Sequence, residues 1–436
     1  MQIDPSIFKA YDVRGLYPSE LNEETAHAIG RGFAAYLKAG TVAVSRDMRL
    51  SSPSLSAAFI EGVRLQGTNV VDYGMLGTDQ LYFAVVNDNL EGGAQITASH
   101  NPKQYNGVKM VKSEAMPLSG DAGIGDIRDM IAGDRLPPPA AQKGTLTSRD
   151  TLPQYVDKVM SFIDPSIIKP FKVVLDAGSG MGGLVAPHLF KRLPCKVTTL
   201  CFEIDGSFPN HESNPLIEEN RRDITEEVIR QKADVGIAWD GDADRCFFID
   251  GSGEFISGDF VTALLAEAFL LKYPGSTIIY DLRASHAVRD TAAKYGSRAL
   301  MNRVGHSFIK RRMREETAIF GGEVTGHYYF RDNFYADNGF IPALLILELM
   351  SRKGQTLRQL LAPLREKYFI SGEVNTKLSD MSLIPGKLDG ISVEFDDWHF
   401  NVRASNTEPL LRLNLEGTTP ELMEKRRDEV LAIIRG

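Results

Sequence analysis

The chain has 436 residues, and because a single hydrophobic core stops growing at about 250–300 residues, we expect several domains. A hydrophobic fraction of 43% and a charged fraction of 24% are ordinary for a globular protein and exclude disordered and fibrous classes. The formal net charge of −8 argues against nucleic acid or an anionic membrane as the main partner, because both require a positive surface field.

The cysteines and the apolar stretches indicate a cytoplasmic protein. Cys195, Cys201 and Cys246 form no CxxC pair and leave an odd thiol, which is typical of a reducing compartment. The first residues, MQIDP, lack the basic and apolar regions of a signal peptide. Residues 260–271 and 340–350 are too short to span a bilayer and each contain a glutamate, so we predict buried helices there.

Short apolar strands alternate with helix-length amphipathic stretches from residue 41 onwards, a pattern that predicts α/β layers. The first unit has predicted strands at 42–45, 69–73 and 93–96 and helices at 52–66 and 80–87. Residues 133–150 contain three consecutive prolines and few apolar side chains, so we place the first domain boundary there.

Two further units follow the same alternation. The second has apolar strands at 172–176 and 235–239. Residues 246–250 and 254–257 flank a Gly-Ser-Gly turn and predict a hairpin that leads into the third unit. That unit has predicted strands at 276–280 and 318–320 and the apolar helix near its end.

The C-terminal stretch differs from the rest. Residues 391–395, 399–404 and 410–415 alternate like antiparallel strands, and residues 418–421, TTPE, match a capping box before a final helix. We therefore predict three α/β domains, residues 1–150, 151–251 and 252–366, and a C-terminal α+β domain, residues 367–436.

A serine lies in a polar turn that can hold a phosphoryl group. Residues 97–102, TASHNP, end an apolar run, and backbone N–H groups in such a turn can bind phosphate oxygens around Ser99 while Pro102 fixes the exit. A solvated polar turn is the alternative. Lys109 favours the phosphate interpretation, because a lysine can neutralise a phosphate or transfer a proton.

A run of alternating carboxylates, DGDADR, directly follows a buried strand. Asp240, Asp242 and Asp244 repel one another unless a cation joins them, and Mg²⁺ prefers such oxygen ligands, although an acidic surface loop is the alternative. An EF-hand would need glycine and glutamate at its sixth and twelfth positions, where the chain has Arg245 and Gly251. The serine turn and this run together predict a phosphoserine facing Mg²⁺, and therefore phosphoryl transfer.

A glycine-rich turn provides the competing hypothesis. Residues 178–183, GSGMGG, follow a predicted strand and match the GxGxxG pattern, with Glu203 about twenty residues downstream, as in dinucleotide-binding folds. A nicotinamide-dependent oxidoreductase is therefore the alternative from another enzyme class. It would leave the serine turn and the aspartate run without a role.

Two later segments have the chemistry of ligand loops. Residues 321–327 place a carboxylate, a hydroxyl and an imidazole on a glycine-flanked turn, which suits sugar hydroxyls; these are Glu323, Thr325 and His327. An arginine at a strand end precedes small polar residues and suits a phosphate dianion; these are Arg403, Ser405, Asn406 and Thr407. An ordinary polar turn is the alternative for each segment.

The motifs together resemble those of the α-D-phosphohexomutases, specifically the bacterial phosphomannomutase/phosphoglucomutase group. Six of them occur in the family's order: residues 8–15 (FKAYDVRG), the Ser99 turn, the Asp240 run, residues 304–307 (VGHS), the Glu323 turn and the Arg403 turn. The resemblance implies four domains around a central active-site cleft, and a phosphorylated Ser99 that holds Mg²⁺ together with the three aspartates.

The resemblance also implies roles for further residues. Tyr11 and Arg14 would line the phosphoserine, and Arg283 and His306 would lie beside the sugar. Lys109, His100 and His327 are candidates for proton transfer, and Arg245 supplies a fixed positive charge.

The subgroup follows from two positions. Phosphoglucosamine mutases usually have glycine at the position of Asn406, and animal-type glucose enzymes lack a histidine like His327. The resemblance therefore implies a mannose/glucose mutase, a phosphomannomutase/phosphoglucomutase that interconverts hexose 1- and 6-phosphates through a phosphoserine and a 1,6-bisphosphate, with hexose 1,6-bisphosphate as activator. A phosphoglucosamine mutase is the alternative within the family, and the enzyme is expected to be a monomer or homodimer. Ala243 and Thr325 stand where many relatives have glycine and serine.

Overall fold

The computed structural model describes residues 3–120, 122–377, 390–404 and 410–435. The chain forms two compact units, one of Met1–Phe255 with His327–Arg352 and the other of Ile256–Gly326 with Lys353–Gly436. Within the described part of the chain, no helix combines the length and the apolar character needed to cross a membrane.

The first unit begins with a six-stranded sheet covered by helices. Its strands are β1 (Val13–Leu16), β2 (Thr41–Arg46), β3 (Asn69–Met75), β4 (Gly92–Ile96), β5 (Tyr105–Lys112) and β6 (Leu146–Ser148), in the spatial order β1-β5-β4-β2-β3-β6. Its helices are α1 (Glu23–Leu37), α2 (Ser52–Leu65), α3 (Thr78–Asn87) and α4 (Ile124–Ala132). Strands β4, β2, β3 and β6 are parallel, so the loops after β2 and β4 meet at one edge of the sheet.

A second sheet follows in the same unit. Its elements are α5 (Leu152–Met160), β7 (Lys172–Asp176), α6 (Gly182–Phe190), β8 (Lys196–Leu200), α7 (Arg222–Gln231), β9 (Val235–Trp239) and β10 (Cys246–Asp250), with the strand order β10-β9-β7-β8. Strands β7, β8 and β9 are parallel, and β10 pairs with β9 in the antiparallel direction. The aspartate run therefore occupies the tight connection between β9 and β10.

The second unit contains a parallel sheet and an antiparallel one. The parallel strands β11 (Thr277–Asp281), β12 (Arg298–Asn302) and β13 (Phe320–Gly322) are accompanied by α8 (Gly258–Lys272), α9 (His286–Lys294) and α10 (His306–Glu315). Residues 327–352, which belong to the first unit, form the hairpin β14 (Tyr328–Phe330) and β15 (Ala336–Asp337) and most of α11 (Phe340–Lys353).

The C-terminal part of the second unit is an α+β domain. It contains α12 (Leu357–Arg365), β16 (Phe369–Lys377), β17 (Ile391–Glu394), β18 (Trp398–Ala404), β19 (Leu410–Gly417) and α13 (Pro420–Arg435). The strand order is β16-β19-β18-β17, and every neighbouring pair is antiparallel. The predicted fold class, three α/β domains followed by an α+β domain, is confirmed.

Three local predictions were wrong. Residues 254–257 do not form a strand; only a single bridge joins Phe255 to Ile249, because α8 already begins at Gly258. The strand predicted at 318–320 lies two residues later. The last helix has no capping box at 418–421: Thr419 is its N-cap, and its hydroxyl accepts the Leu422 N–H at 3.2 Å, which moves Glu421 away from the required third position.

A buried polar network joins three helices of the first unit. The Tyr155 hydroxyl in α5 donates to Asp79 Oδ2 in α3 at 2.5 Å and accepts the Asn338 side-chain amide at 2.8 Å. Asn338 in turn accepts the backbone N–H groups of Phe340 and Ile341, which start α11. Burial raises the pKa of Asp79 well above its ordinary value, and the hydrogen bond from Tyr155 opposes this shift. The ionised form of this carboxyl is therefore stabilised by the donors around it.

We predict that Tyr155→Phe lowers the free energy of unfolding by about 1–3 kcal/mol, because it leaves buried polar groups of Asp79 and Asn338 without their partner. Chemical denaturation monitored by circular dichroism measures the change. The matched control is Tyr36→Phe, whose partly buried hydroxyl accepts a hydrogen bond from Lys112 at 3.2 Å and whose loss should change stability by less than about 0.5 kcal/mol. Equal effects of the two substitutions would contradict the prediction.

Candidate active site

The predicted phosphoserine lies in a constrained turn after β4. Ser99 is 2% exposed and has φ of 50°, in the left-handed region that residues other than glycine seldom adopt. Its N–H donates to the Thr97 hydroxyl at 2.9 Å, and that hydroxyl donates to Asp47 Oδ2 at 2.7 Å. The surrounding hydrogen bonds therefore fix an unfavourable backbone conformation, which is typical of functional turns.

A buried arginine binds the backbone carbonyl oxygens of the same turn. Arg49 is 1% exposed, and its guanidinium donates to the carbonyl oxygens of Ser99 at 2.8 Å and Asn101 at 2.6 Å, and to those of Pro102 and Tyr105. Burial lowers the pKa of Arg49, and Asp47, 3.2 Å from its Nε, opposes that shift. Sequence reasoning missed Arg49 and its partner Asp47. Their position directly after β2, beside the end of parallel strand β4, was the available signal.

The three aspartates converge on the serine. Asp240, Asp242 and Asp244 are 0–1% exposed, and one oxygen of each lies within 4.8 Å of the others. The Ser99 hydroxyl donates to Asp240 Oδ2 at 2.8 Å. The structure thus brings together the two motifs that the sequence places 141 residues apart.

Lys109 neutralises part of this charge. Its Nζ lies 2.6 Å from Asp242 Oδ2 and 2.5 Å from Asp244 Oδ2. Burial disfavours its charge, but the two carboxylates raise the pKa of Lys109 well above its ordinary value. Burial likewise opposes ionisation of Asp242, yet Lys109 holds the pKa of that carboxyl below its usual range. Among the described residues, no cationic group lies as close to Asp240 as Lys109 does to the other two aspartates. Burial, together with Asp244 and Asp242, raises the pKa of the Asp240 carboxyl well above its ordinary value.

The same cluster fits a divalent metal ion. Asp242 Oδ1 and Asp244 Oδ1 are buried and accept no hydrogen bond from any described residue. Buried carboxylate oxygens without donors are costly unless a cation reaches them. A set of carboxylate and hydroxyl oxygens is the donor set that a hard cation prefers.

Two predicted residues lie close to the serine turn. Arg14 donates to the Ala98 carbonyl at 2.9 Å and to the Asn101 side chain, and forms an ion pair with Asp12. His100 Nδ1 is 3.2 Å from Ser99 Oγ. Burial, with Arg245 and Arg14 nearby, lowers the pKa of His100 well below its ordinary value, so its imidazole is neutral near pH 7.

Arg245 and His327 form the other side of the cluster. Arg245 Nε donates to His327 Nε2 at 2.9 Å, and its guanidinium lies 3.6 Å from Asp240 Oδ2. His327 Nδ1 is 3.1 Å from Asp337 Oδ2. Asp337 was not predicted, because its position depends on the hairpin formed by β14 and β15. Tyr11 lies in the bend just before β1, next to the Asp12 that pairs with Arg14.

The remaining predicted residues cluster in the second unit. Arg283 is buried, donates to Asp281 at 2.8 Å and lies 3.8 Å from Glu323 Oε2. Glu323 Oε2 accepts the Gly305 N–H at 3.1 Å, immediately before His306 at the start of α10. Burial opposes the charge of Arg283, but Asp281 raises its pKa. Thr325 is half-buried on the turn that carries Glu323.

The predicted phosphate loop is described only at its start. Arg403 is the second-last residue of β18 and is 3% exposed. It lies 3.6 Å from Glu373 Oε2, which Arg283 approaches to 3.5 Å, and Arg412 lies 3.2 Å from the other oxygen of this carboxylate. Three guanidinium groups therefore surround Glu373, which the sequence did not single out. Ser405, Asn406 and Thr407 lie outside the described residues.

The glycine-rich turn has a packing role. A Cβ at Gly180 would lie 2.6 Å from the Gly241 carbonyl oxygen, and one at Gly183 would lie 2.6 Å from that of Phe202. A Cβ at Gly241 would in turn meet the Ser99 carbonyl at 2.6 Å. These glycines allow close contact between backbone segments around the aspartate run, which explains the GxGxxG pattern without a dinucleotide.

Models of one protein family match nearly the whole chain. They are the phosphoglucomutase/phosphomannomutase α/β/α domain I at residues 5–135, domain II at 153–253, domain III at 257–368 and the C-terminal domain at 373–433. The chain belongs to the phosphoglucomutase/phosphomannomutase family. It is a phosphohexomutase, an isomerase, and the recognition made from its motifs is confirmed.

Individual relatives are similar to this chain over nearly their full length. A phosphomannomutase of Escherichia coli is 41% identical over 450 residues, covering 98% of this chain and 99% of that protein. A protein of Xanthomonas campestris named for phosphohexose mutases is 42% identical over 447 residues with the same coverage. A phosphoglucomutase/phosphomannomutase family protein from Burkholderia thailandensis has a similar structure, with a TM-score of 0.89, 32% identity and coverage of 99% of this chain and 97% of the other.

Proposed function

We propose that this phosphohexomutase interconverts the 1- and 6-phosphates of mannose and glucose through phospho-Ser99 and a hexose 1,6-bisphosphate. The supporting observation is the approach of the Ser99 hydroxyl to within 2.8 Å of Asp240 in a turn whose backbone Arg49 and Thr97 hold fixed. Relatives with phosphomannomutase names and more than 40% identity support the sugar class.

The chemistry we propose is two phosphoryl transfers in opposite directions. A free hydroxyl of the bound hexose phosphate attacks the phosphorus on Ser99, so that a sugar O–P bond forms, the Ser99 Oγ–P bond breaks and the hydroxyl proton leaves. After the bisphosphate reorients, Ser99 Oγ attacks the other phosphate, so that the Oγ–P bond forms again, the sugar O–P bond breaks and the freed sugar oxygen takes up a proton as the isomeric monophosphate leaves. The proton passes through one of our three candidates, Lys109, His100 or His327, which all lie in the first unit near the serine.

Mg²⁺ is the metal ion we propose, held by Asp240, Asp242, Asp244 and a phosphate oxygen of phospho-Ser99. When bound, it neutralises negative charge on the phosphoryl oxygens. Arg14 and Arg245 contribute fixed positive charge on either side of the serine turn. Hexose 1,6-bisphosphate would act as activator, because it can phosphorylate a Ser99 that has lost its phosphoryl group.

Substrate recognition is assigned to residues of the second unit, with Tyr11 and His327 as further contacts. Glu323 and Thr325 would bind sugar hydroxyls, with Arg283 and His306 beside them. Arg403, with Ser405, Asn406 and Thr407, would bind the phosphate that is not being transferred, and the excess of guanidinium groups around Glu373 supports this role. We propose domain boundaries at residues 150, 251 and 366, and a monomer or homodimer.

We predict that Ser99 is the residue that carries the phosphoryl group. Incubation with glucose 1,6-bisphosphate should add one phosphoryl group to the intact protein, and peptide mapping should place it on Ser99. Ser99→Ala should abolish both phosphorylation and turnover, whereas the exposed Ser54→Ala should change neither. Phosphate on another residue, or full activity in Ser99→Ala, would show that the assignment is wrong.

We predict similar use of mannose and glucose phosphates, because the proposed contacts at Glu323, Thr325 and Arg403 do not read the C2 hydroxyl. One hydrogen bond at C2 is worth about 0.5–1.5 kcal/mol, so the two kcat/KM values should lie within about tenfold. Glucosamine phosphate should be poorer, because no carboxylate in these motifs is assigned to its ammonium.

Measurement of kcat/KM for the three sugars, with Glu323→Gln as a control, tests this proposal. The substitution should reduce mannose and glucose turnover by the same factor, since it removes a shared contact. A mannose-to-glucose ratio beyond about a thousandfold, or glucosamine phosphate as the best substrate, would favour the phosphoglucosamine mutase alternative or another C2-reading residue.

A further inference from the structure

A second group of metal-ligating side chains lies at the carboxyl edge of the second sheet. Asp176 ends β7, Cys201 directly follows the neighbouring parallel strand β8, and His211 lies in the loop that follows. The side chains of Asp176 and His211 are 2% and 10% exposed, and Cys201 is half-buried. The phosphoryl-transfer mechanism uses none of these three residues.

The distances within this group match those of a tetrahedral zinc site. Cys201 Sγ is 3.6 Å from His211 Nε2, which is 3.1 Å from Asp176 Oδ2, and all three atoms lie within 4.8 Å of one another. With Zn–S of about 2.3 Å and Zn–N or Zn–O of about 2.0 Å, tetrahedral angles separate sulfur from nitrogen by about 3.5 Å and nitrogen from oxygen by about 3.3 Å. Two of the three pairs of ligand atoms therefore already lie at nearly the required spacing.

The other ring nitrogen of His211 is oriented as in zinc sites. Nδ1 is 3.0 Å from the Glu212 carbonyl oxygen, which can only accept a hydrogen bond, so Nδ1 carries a proton. In the neutral imidazole, the Nε2 lone pair then faces a carboxylate oxygen and a sulfur. Such an arrangement favours a cation at Nε2, either a proton or a metal ion, because the carboxylate oxygen can only accept a hydrogen bond. Donation of the distal N–H to a backbone carbonyl is the usual support of a metal-ligating histidine.

We propose that Asp176, Cys201 and His211 bind a Zn²⁺ ion through Oδ2, Sγ and Nε2, with a water molecule as the fourth ligand. Thiolate and imidazole select zinc over magnesium, whose preferred ligands are oxygens. The site is thus distinct from the oxygen-only cluster at Asp240, and it does not depend on the proposed sugar specificity.

Another histidine-containing group in the described residues lacks this geometry. The imidazole rings of His286 and His399 stack with their centroids 3.8 Å apart and an interplanar angle of 18°. Each imidazole lone pair lies in the plane of its ring, and two nearly parallel, stacked planes share no point near both rings where one ion could bind both lone pairs together with Glu416. The group of Asp176, Cys201 and His211 is also the one in which a thiol joins the imidazole.

Protons compete with the metal for the same ligands. Burial lowers the pKa of His211, but hydrogen bonds with Asp176 and Cys201 raise it to about 11. Zinc binding releases protons from its ligands into solvent, so the affinity for zinc should rise with pH.

A metal ion here would hold a loop that borders the active site. The Cys201 carbonyl accepts the Ser179 N–H at 2.8 Å, and the Gly178 carbonyl accepts the Ser213 hydroxyl at 3.2 Å. The Ser213 hydroxyl also lies close to Gly241 of the aspartate run, because a Cβ added at Gly241 would be only 3.3 Å from its oxygen. Zinc would therefore fix residues 201–213 against the turn that supports the aspartate run, and its effect should be on stability.

Titration of the full-length protein with Co²⁺, as a spectroscopic substitute for Zn²⁺, tests the site in buffer with excess Mg²⁺. One equivalent of Co²⁺ should produce a thiolate-to-metal charge-transfer band, which Zn²⁺ then removes. The band should be absent in Cys201→Ser and unchanged in Cys195→Ser, the matched control whose thiol lies outside the cluster. Zn²⁺ should also raise the Tm of the wild type and of Cys195→Ser but not of Cys201→Ser.

A measurement on the wild type avoids dependence on variant folding. Zn²⁺ should protect Cys201, and not Cys195, from alkylation by iodoacetamide as mapped by peptide mass spectrometry. No charge-transfer band with the wild type, a band retained in Cys201→Ser, or no protection of Cys201 would each overturn the proposal and leave His211 as an imidazolium paired with Asp176.

Discussion

Mutual repulsion among three buried aspartates is the constraint on which the site depends. The side chains of Asp240, Asp242 and Asp244 are almost fully removed from water. In such a buried position, ionised carboxylates are stable only with compensating charge. Lys109 contacts two of them, and Arg245 lies near the third. Two oxygens still accept no hydrogen bond from a described residue, so the protein itself does not complete the compensation. A divalent cation is the simplest way to complete it.

The backbone around the aspartates is shaped for close contact with the serine turn. Gly241 permits the carbonyl of Ser99 to approach where a side chain would collide, and Gly180 permits the carbonyl of Gly241 to approach in the same way. The hydroxyl of Thr78 donates to Asp242, which links α3 to the run. Arg49 meanwhile holds the left-handed Ser99 by its carbonyl. The Ser99 hydroxyl and the carboxylates are therefore positioned by backbone geometry, which suits the phosphoryl transfer we propose.

Much of this organisation could be predicted from the sequence, because its signals are local. Apolar patterns located β2, β3 and β4 of the first sheet, β7 and β9 of the second and β11 of the third, and dense carboxylates after a buried strand marked the aspartate cluster. Within the aspartate run, Ala243 has φ of 58°, in the left-handed region that favours glycine, so the turn after β9 holds a side chain in a strained backbone conformation.

The rest depends on tertiary contacts that local patterns do not carry. Arg49, Asp337 and Glu373 occupy ordinary positions in the sequence and acquire partners only when distant strands meet. The glycine-rich turn resembled a dinucleotide site because close backbone contact with protein and with phosphate requires the same residue type. The capping box at 418–421 was misread by one residue, since two adjacent threonines can both serve as N-cap.

The central claim, that the phosphoserine and the aspartates share one metal ion, is tested most directly by calorimetric titration of Mg²⁺. The protein is prepared with Ser99 phosphorylated and with Ser99 dephosphorylated, and Asp242→Asn serves as the variant lacking one anionic ligand. The account predicts one Mg²⁺ site that binds at least about tenfold more tightly when Ser99 is phosphorylated and is weakened by the substitution, because each change alters the anionic ligands of one ion. Equal affinity in the two phosphorylation states, or unchanged binding in Asp242→Asn, would contradict it.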